Sequence, residues 1–126
     1  METVYVNAAE EKLEKIKKAA KDCGARAAGL SQADINRTLS EITGMLSLKI
    51  TGAAHKKAPA LFSLPEIIIF AGFAGNKLDA FLEAYRKAGG EPVKLKAVVT
   101  LTNSGWTLYE LAMELAKEHA ALNGEK

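Results

Sequence analysis

The stretch "EIIIFAGF", Glu66 to Phe73, limits the fold more than any other part of the chain. Its apolar run is rich in β-branched isoleucine and much shorter than the roughly 20 residues a membrane-spanning helix needs. A strand with one face in water alternates apolar and polar side chains, and this one does not. It is therefore expected in the middle of a sheet that is covered on both faces. "TVYV" (Thr3 to Val6) and "KLKAVVT" read as further strands, and "ARAAGL" (Ala25 to Leu30) as a weaker one, since alanine and glycine have little β-propensity.

Amphipathic helices separate these strands. Leu13, Ile16, Ala20 and Cys23 recur at three- and four-residue intervals before a stop at Gly24. Ile35, Leu39, Ile42 and Leu46 form a second stripe. Leu78, Phe81, Leu82 and Tyr85 form a third, ahead of another glycine stop, and Leu108, Leu111, Ala112, Leu115 and Leu122 a fourth. The order is βαβα, a connection from Thr51 to Pro65, then βαβα. One domain spanning 1–126 is expected, with similar segments 1–50 and 66–122 joined by the linker 51–65.

A shift of 65 lays "KLEKIKKAAKDCG" over "KLDAFLEAYRKAG", and a shift of 69 lays "TLSEI" over "TLYEL". These matches suggest an internal duplication. The expected architecture is α/β, a four-stranded, mainly parallel sheet in order 2-1-3-4. Helices are expected on both faces, because a two-fold axis along the strands would send the helices of the two halves to opposite sides. The alternative is a ferredoxin-like α+β sheet.

Composition narrows the function. The formal charge is +2, from 17 basic and 15 acidic side chains, and the basic face from Lys12 to Lys21 is interleaved with glutamates. Nucleic acid is not an expected partner, and no segment has the length of a membrane span. The single Cys23 allows no intrachain disulfide, which favours a reducing, cytoplasmic setting. Met1 is followed by an acidic residue, unlike a signal peptide.

No catalytic constellation stands out. His55 lies in the basic linker and His119 near the end of the last helix, while Glu118 and His119 are adjacent and so point in different directions. "AGFAGN" lacks the third glycine of a dinucleotide loop and the G-K-[ST] ending of a triphosphate loop. No catalytic residue, metal ligand or cofactor is assigned.

"TLTNSGWTLYEL", Thr100 to Leu111, combines two features. Thr-x-x-Glu, at Thr38/Glu41 and again at Thr107/Glu110, has the spacing of a capping box. Thr102, Asn103 and Trp106 lie just beyond a strand, at the carboxyl edge where open α/β sheets bind ligands. "EIIIFAGF", "LDAFLEAYRKAG" and "LKAVVTLTNSGWTLYELAMEL" resemble a family of small, uncharacterised bacterial proteins with a T-x-T-N-x-x-W-T-L signature after the last strand. The resemblance implies no activity.

The candidate ligand-binding residues are Asn7, Gly72, Gly75, Asn76, Thr102, Asn103 and Trp106, grouped around the expected switch point of strand order. The reading is a non-catalytic binding or regulatory module that contacts a protein partner or small ligand. A nucleotide- or metabolite-binding enzyme is the alternative. Trp106 is expected to close the end of the core.

Overall fold

The computed structural model describes residues 2–44, 58–100 and 103–122. Leu46, Thr51 to Lys57 with His55, Thr102 and the side chain of Leu122 lie outside the described residues. The elements are β1 (Thr3–Asn7), α1 (Glu10–Asp22), β2 (Arg26–Gly29), α2 (Leu39–Thr43), β3 (Ile67–Ala71), α3 (Gly75–Lys87), β4 (Leu95–Val98) and α4 (Leu108–Leu122). Two 3-10 turns, Gln32–Asp34 and Asn103–Gly105, precede α2 and α4. The chain forms two compact units, the first from Met1–Leu30 with Glu66–Val98 and the second from Ser31–Pro65 with Val99–Lys126.

The first unit holds the whole sheet, in the order β2-β1-β3-β4. β1 runs parallel to β2 and β3 parallel to β4, as right-handed crossovers require of each βαβ unit. The two central strands run antiparallel, with Tyr5 opposite Ile69. This corrects the expected relation between the halves. A two-fold axis along the strands would preserve strand direction and exchange the faces. Antiparallel β1 and β3 call instead for an axis perpendicular to the sheet, which keeps both crossover helices on one face.

The core agrees with that geometry. Val4 pairs with Phe70 and Val6 with Ile68, so these four side chains share a face. They are buried in one cluster with Ile16, Ala19 and Ala20 of α1 and Phe81 and Tyr85 of α3. Phe70 and Phe81 meet edge to face at 5.4 Å. All five residues of β3 are buried, so the interior position expected for "IIIFA" is realised.

α1 and α3 are also antiparallel, and their lysines exploit it. Lys77, in the first turn of α3, donates to the Cys23 carbonyl at 2.7 Å, and Lys15 of α1 donates to the Gly89 carbonyl at 3.0 Å. Each helix thus places an ammonium group on the carbonyl-rich end of the other, where the macrodipole is negative. Both helices stop as expected. Gly24 and Gly89 adopt φ of +76° and +84°, and the next amides, Ala25 and Gly90, reach back to Ala20 and Tyr85 at 2.8 and 3.0 Å.

The second unit centres on an isolated antiparallel bridge between Thr38 and Thr107. Leu39 N–H donates to Trp106 at 2.8 Å and Leu108 N–H to Arg37 at 2.9 Å, so the exchange is reciprocal. α2 is shorter than the sequence suggested, because Gly44 ends it at φ +75°. Ile35 precedes it in a turn, where its carbonyl accepts from Tyr109 N–H at 2.9 Å. The part of the connection that is described is pinned by side chains: Gln32 bonds to the backbone of Phe62 and Leu64, and Asn36 accepts from Ala58 N–H at 2.9 Å.

Gly90 has a steric role distinct from that of Gly89. A Cβ there would fall 2.3 Å from the Tyr85 ring. The ring is nearly buried and has little room to retreat, so Gly90→Ala should cost about 1–3 kcal/mol, read as a lower denaturant midpoint at unchanged slope.

Candidate functional site

The two Thr-x-x-Glu segments form the capping boxes that their spacing predicts. At α2, Glu41 N–H donates to the Thr38 hydroxyl at 3.2 Å and Thr38 N–H to the Glu41 carboxylate at 3.0 Å. At α4 the same two bonds join Thr107 and Glu110, at 3.1 and 2.9 Å. α4 therefore starts from Thr107, and Asn103 serves the preceding turn. Thr100 N–H donates to the Asn103 side-chain oxygen at 2.8 Å, and Asn103 N–H to the Thr100 hydroxyl at 3.1 Å. Ser31 and Asp34 make a matching box around the first 3-10 turn, with Ser31 N–H donating to the carboxylate at 3.0 Å. Thr100, Asn103, Thr107 and Glu110 thus hold the backbone through two successive starts. Trp106 is half-buried rather than part of the core.

The other candidates fall apart along the sheet. Asn7 pairs with Ile67 at the start of β3, whereas Thr3 pairs with Ala71, the residue before Gly72. With about 3.4 Å per residue, Asn7 and Gly72 are separated by roughly 17 Å along the strands. The switch-point crevice expected between them does not form, because antiparallel central strands send the carboxyl ends of the two halves to opposite ends of the sheet. Gly72 has φ +81°, which a side chain would strain, but a Cβ on Gly75 would meet nothing within 4 Å. Gly75 and Asn76 are exposed at the start of α3. Asn103 and Trp106 belong to the second unit, and Thr102 lies outside the described residues.

A different feature of the first unit has the character of a site. Between the last turns of α3 and β4 lies a slot of about 170 Å³. Its floor is Ile68, Phe81, Tyr85 and Val93, all buried, and its mouth is bordered by Leu82, Pro92, Arg86 and Lys96. Periodicity assigned Leu82 to the interior, so nothing in the sequence marked it as the edge of an opening. The turn "AGGEPV" that shapes the slot read only as a helix stop.

Two polar side chains, Tyr85 and Lys12, hold the slot's wall. The Tyr85 hydroxyl donates to the Glu91 carbonyl, and its ring stacks on Phe81 at 6.4 Å with an interplanar angle of 4°. Lys12 reaches from α1 to the Glu66 carboxylate at 2.8 Å and the Pro92 carbonyl at 3.2 Å. Periodicity had left Lys12 on a solvated face. The hydrogen bond to Glu66 raises the Lys12 ammonium above its ordinary 10.5, and burial raises the Tyr85 phenol above its ordinary 10.0. Among the described residues, no cluster of three or more His, Cys, Asp and Glu side chains could hold a metal ion, and no helix is long and apolar enough to cross a membrane.

In both raised groups the folded state binds its proton more tightly than the unfolded chain. The stability they contribute is whole below pH 10.0 and is lost as the pH rises through the raised values. Tyr85→Phe should cost about 1 kcal/mol near neutral pH through the lost hydrogen bond, and should flatten the alkaline decline. Denaturant midpoints measured from neutral pH to beyond 10.5 check both effects.

Residues 66–122 match the model of a family described as a domain of unknown function (DUF3783). The matched span opens one residue before β3, closes with α4, and includes both Asn103 and Trp106. No curated protein and no solved structure matches the chain. The second half of the chain is thus similar to that family.

Proposed function

We propose that this protein is a non-catalytic binding or regulatory module that engages a protein partner through the slot between α3 and β4. The observation that carries this reading is an apolar recess with a buried floor and a charged border, set against the core of the first unit. The loop from Thr100 to Glu110 supports it in a negative sense. Thr100, Asn103, Thr107 and Glu110 are engaged by the loop's own backbone, which suits a fixed helix start better than a reacting group that must change partners. The size of the slot points the same way. Pockets for drug-sized ligands run to about 300–1,000 Å³, so 170 Å³ suits a side chain better than a nucleotide.

The same reading makes this a cytoplasmic protein of bacterial type that arose by internal duplication. A lone Cys23 supports the compartment, and the resemblance of "LTNSGWTL" supports the source. The duplication is supported by matched geometry: α1 and α3 begin 65 residues apart, and the capping pairs Ser31/Asp34 and Thr38/Glu41 recur 69 residues later as Thr100/Asn103 and Thr107/Glu110.

Amide chemical-shift mapping on the full chain tests the function. Peptides selected from a random displayed library should perturb Leu82, Arg86 and Lys96, while a panel of nucleotides and metabolites should leave the spectrum unchanged. Shifts at Gly72 to Asn76 on adding ATP or NAD, or turnover of any panel member, would replace this reading with that of a nucleotide- or metabolite-binding enzyme.

A further inference from the structure

We infer that the slot between α3 and β4 recognises an acidic segment of a partner protein, taking one aromatic or branched apolar side chain inside and meeting carboxylates at its border. This rests on the binding-module reading and adds the chemistry of the partner. Three observations lead to it. An engineered apolar cavity of about 150 Å³ admits benzene, so a slot of about 170 Å³ accommodates a single ring or branched side chain. Its floor offers that group only hydrocarbon and the Tyr85 ring, whose hydroxyl is turned away to the Glu91 carbonyl. An apolar anchor therefore loses no hydrogen bond on entering.

The third observation is charge. Arg86 and Lys96 line the slot, and the segment they belong to, Glu83 to Lys96, carries Arg86, Lys87, Lys94 and Lys96 against Glu83 and Glu91, which is four positive charges against two negative and a net of +2. Glu83 is already shared, at its two oxygens, by Arg86 and by Lys87 at 3.9 Å. Arg86 is 72% exposed, and Lys96 Nζ is held near the slot by donating to the Val93 carbonyl at 2.7 Å. An ammonium with one of its three donors engaged still has two to offer a carboxylate. A basic or neutral segment would find no such complement, and like charges at the border would repel it.

Synthetic peptides and the full chain provide the test, with fluorescence anisotropy as the readout. The probe is a short labelled peptide with one phenylalanine flanked by aspartates. Its controls replace the aspartates by lysines, or the phenylalanine by serine. The aspartate peptide should bind at least tenfold more tightly than either control, and raising the salt from about 0.05 M to about 0.5 M should weaken it several-fold. In the double variant Arg86→Glu/Lys96→Glu, checked for an unchanged melting temperature, the preference should reverse toward the lysine peptide. Equal binding of the aspartate and lysine peptides, or no loss with serine, overturns the inference. If library-selected neutral peptides still map to Leu82 and Lys96, the module reading survives that result. If no peptide perturbs the slot, both fall together.

Discussion

The antiparallel pairing of β1 with β3 is the interaction on which the rest of the first unit depends. Five residues of each strand are in register, from Thr3 opposite Ala71 to Asn7 opposite Ile67. Given right-handed crossovers, that one orientation places α1 and α3 on the same face and reverses one against the other. The helix–helix contact then sets the first turn of each beside the last turn of its neighbour. That is why Lys15 and Lys77 find carbonyl groups at helix ends, and why Lys12 can reach Pro92. A parallel pairing of the same strands would have separated all of these partners.

Much of the order was legible in the residues, while direction was not. The glycine stops, the buried third strand and the capping boxes each follow from chemistry local to a few residues, such as the αL conformation at Gly24 and Gly89, and the strand order 2-1-3-4 from the succession of βαβ units. Strand direction is different. Side chains alternate with a period of two whichever way a strand is read, so "TVYV" and "IIIF" present the same pattern in either orientation. The connection between the halves is long enough to permit both. The candidate site inherited this ambiguity, since a crevice joining Asn7 to Gly72–Asn76 exists only if β1 and β3 point the same way.

The stretch from Thr100 to Leu111 shows a second limit. Hydroxyls and an amide gathered beyond a strand are consistent with a ligand loop and with a pair of helix starts. The difference lies in whether each group meets its own backbone. Thr107 with Glu110 and Thr100 with Asn103 both do so, by bonds that span three residues. Ile35 illustrates a related limit: three-four spacing links it to Leu39, although Ile35 lies in the turn after Gln32–Asp34 and only Leu39 belongs to α2.

The slot lies where α3 and the turn after it differ from α1 and its turn in side-chain size. With α1 laid over α3 at a shift of 65, Ile16 meets Phe81, which keeps the shared core filled. Lys17 then meets Leu82, Ala20 meets Tyr85 and Ala25 meets Gly90. In the first half a small Ala20 is buried in the core cluster, and Lys17 is exposed. In the second half, Tyr85 is too large for that place. Its ring lies over Gly90, the only residue type that the 2.3 Å separation permits there, and its hydroxyl donates to the Glu91 carbonyl in the following turn. Between β2 and β4, at a shift of 69, Ala27 is replaced by Lys96, which adds a cation where the first half has a methyl group. An opening bordered by one aromatic, one glycine and one lysine thus stands where the first βαβ unit has three alanines. The sheet and the paired helices supply the stability, and the side chains of the α3 flank leave a recess that neither the core nor the capping requires.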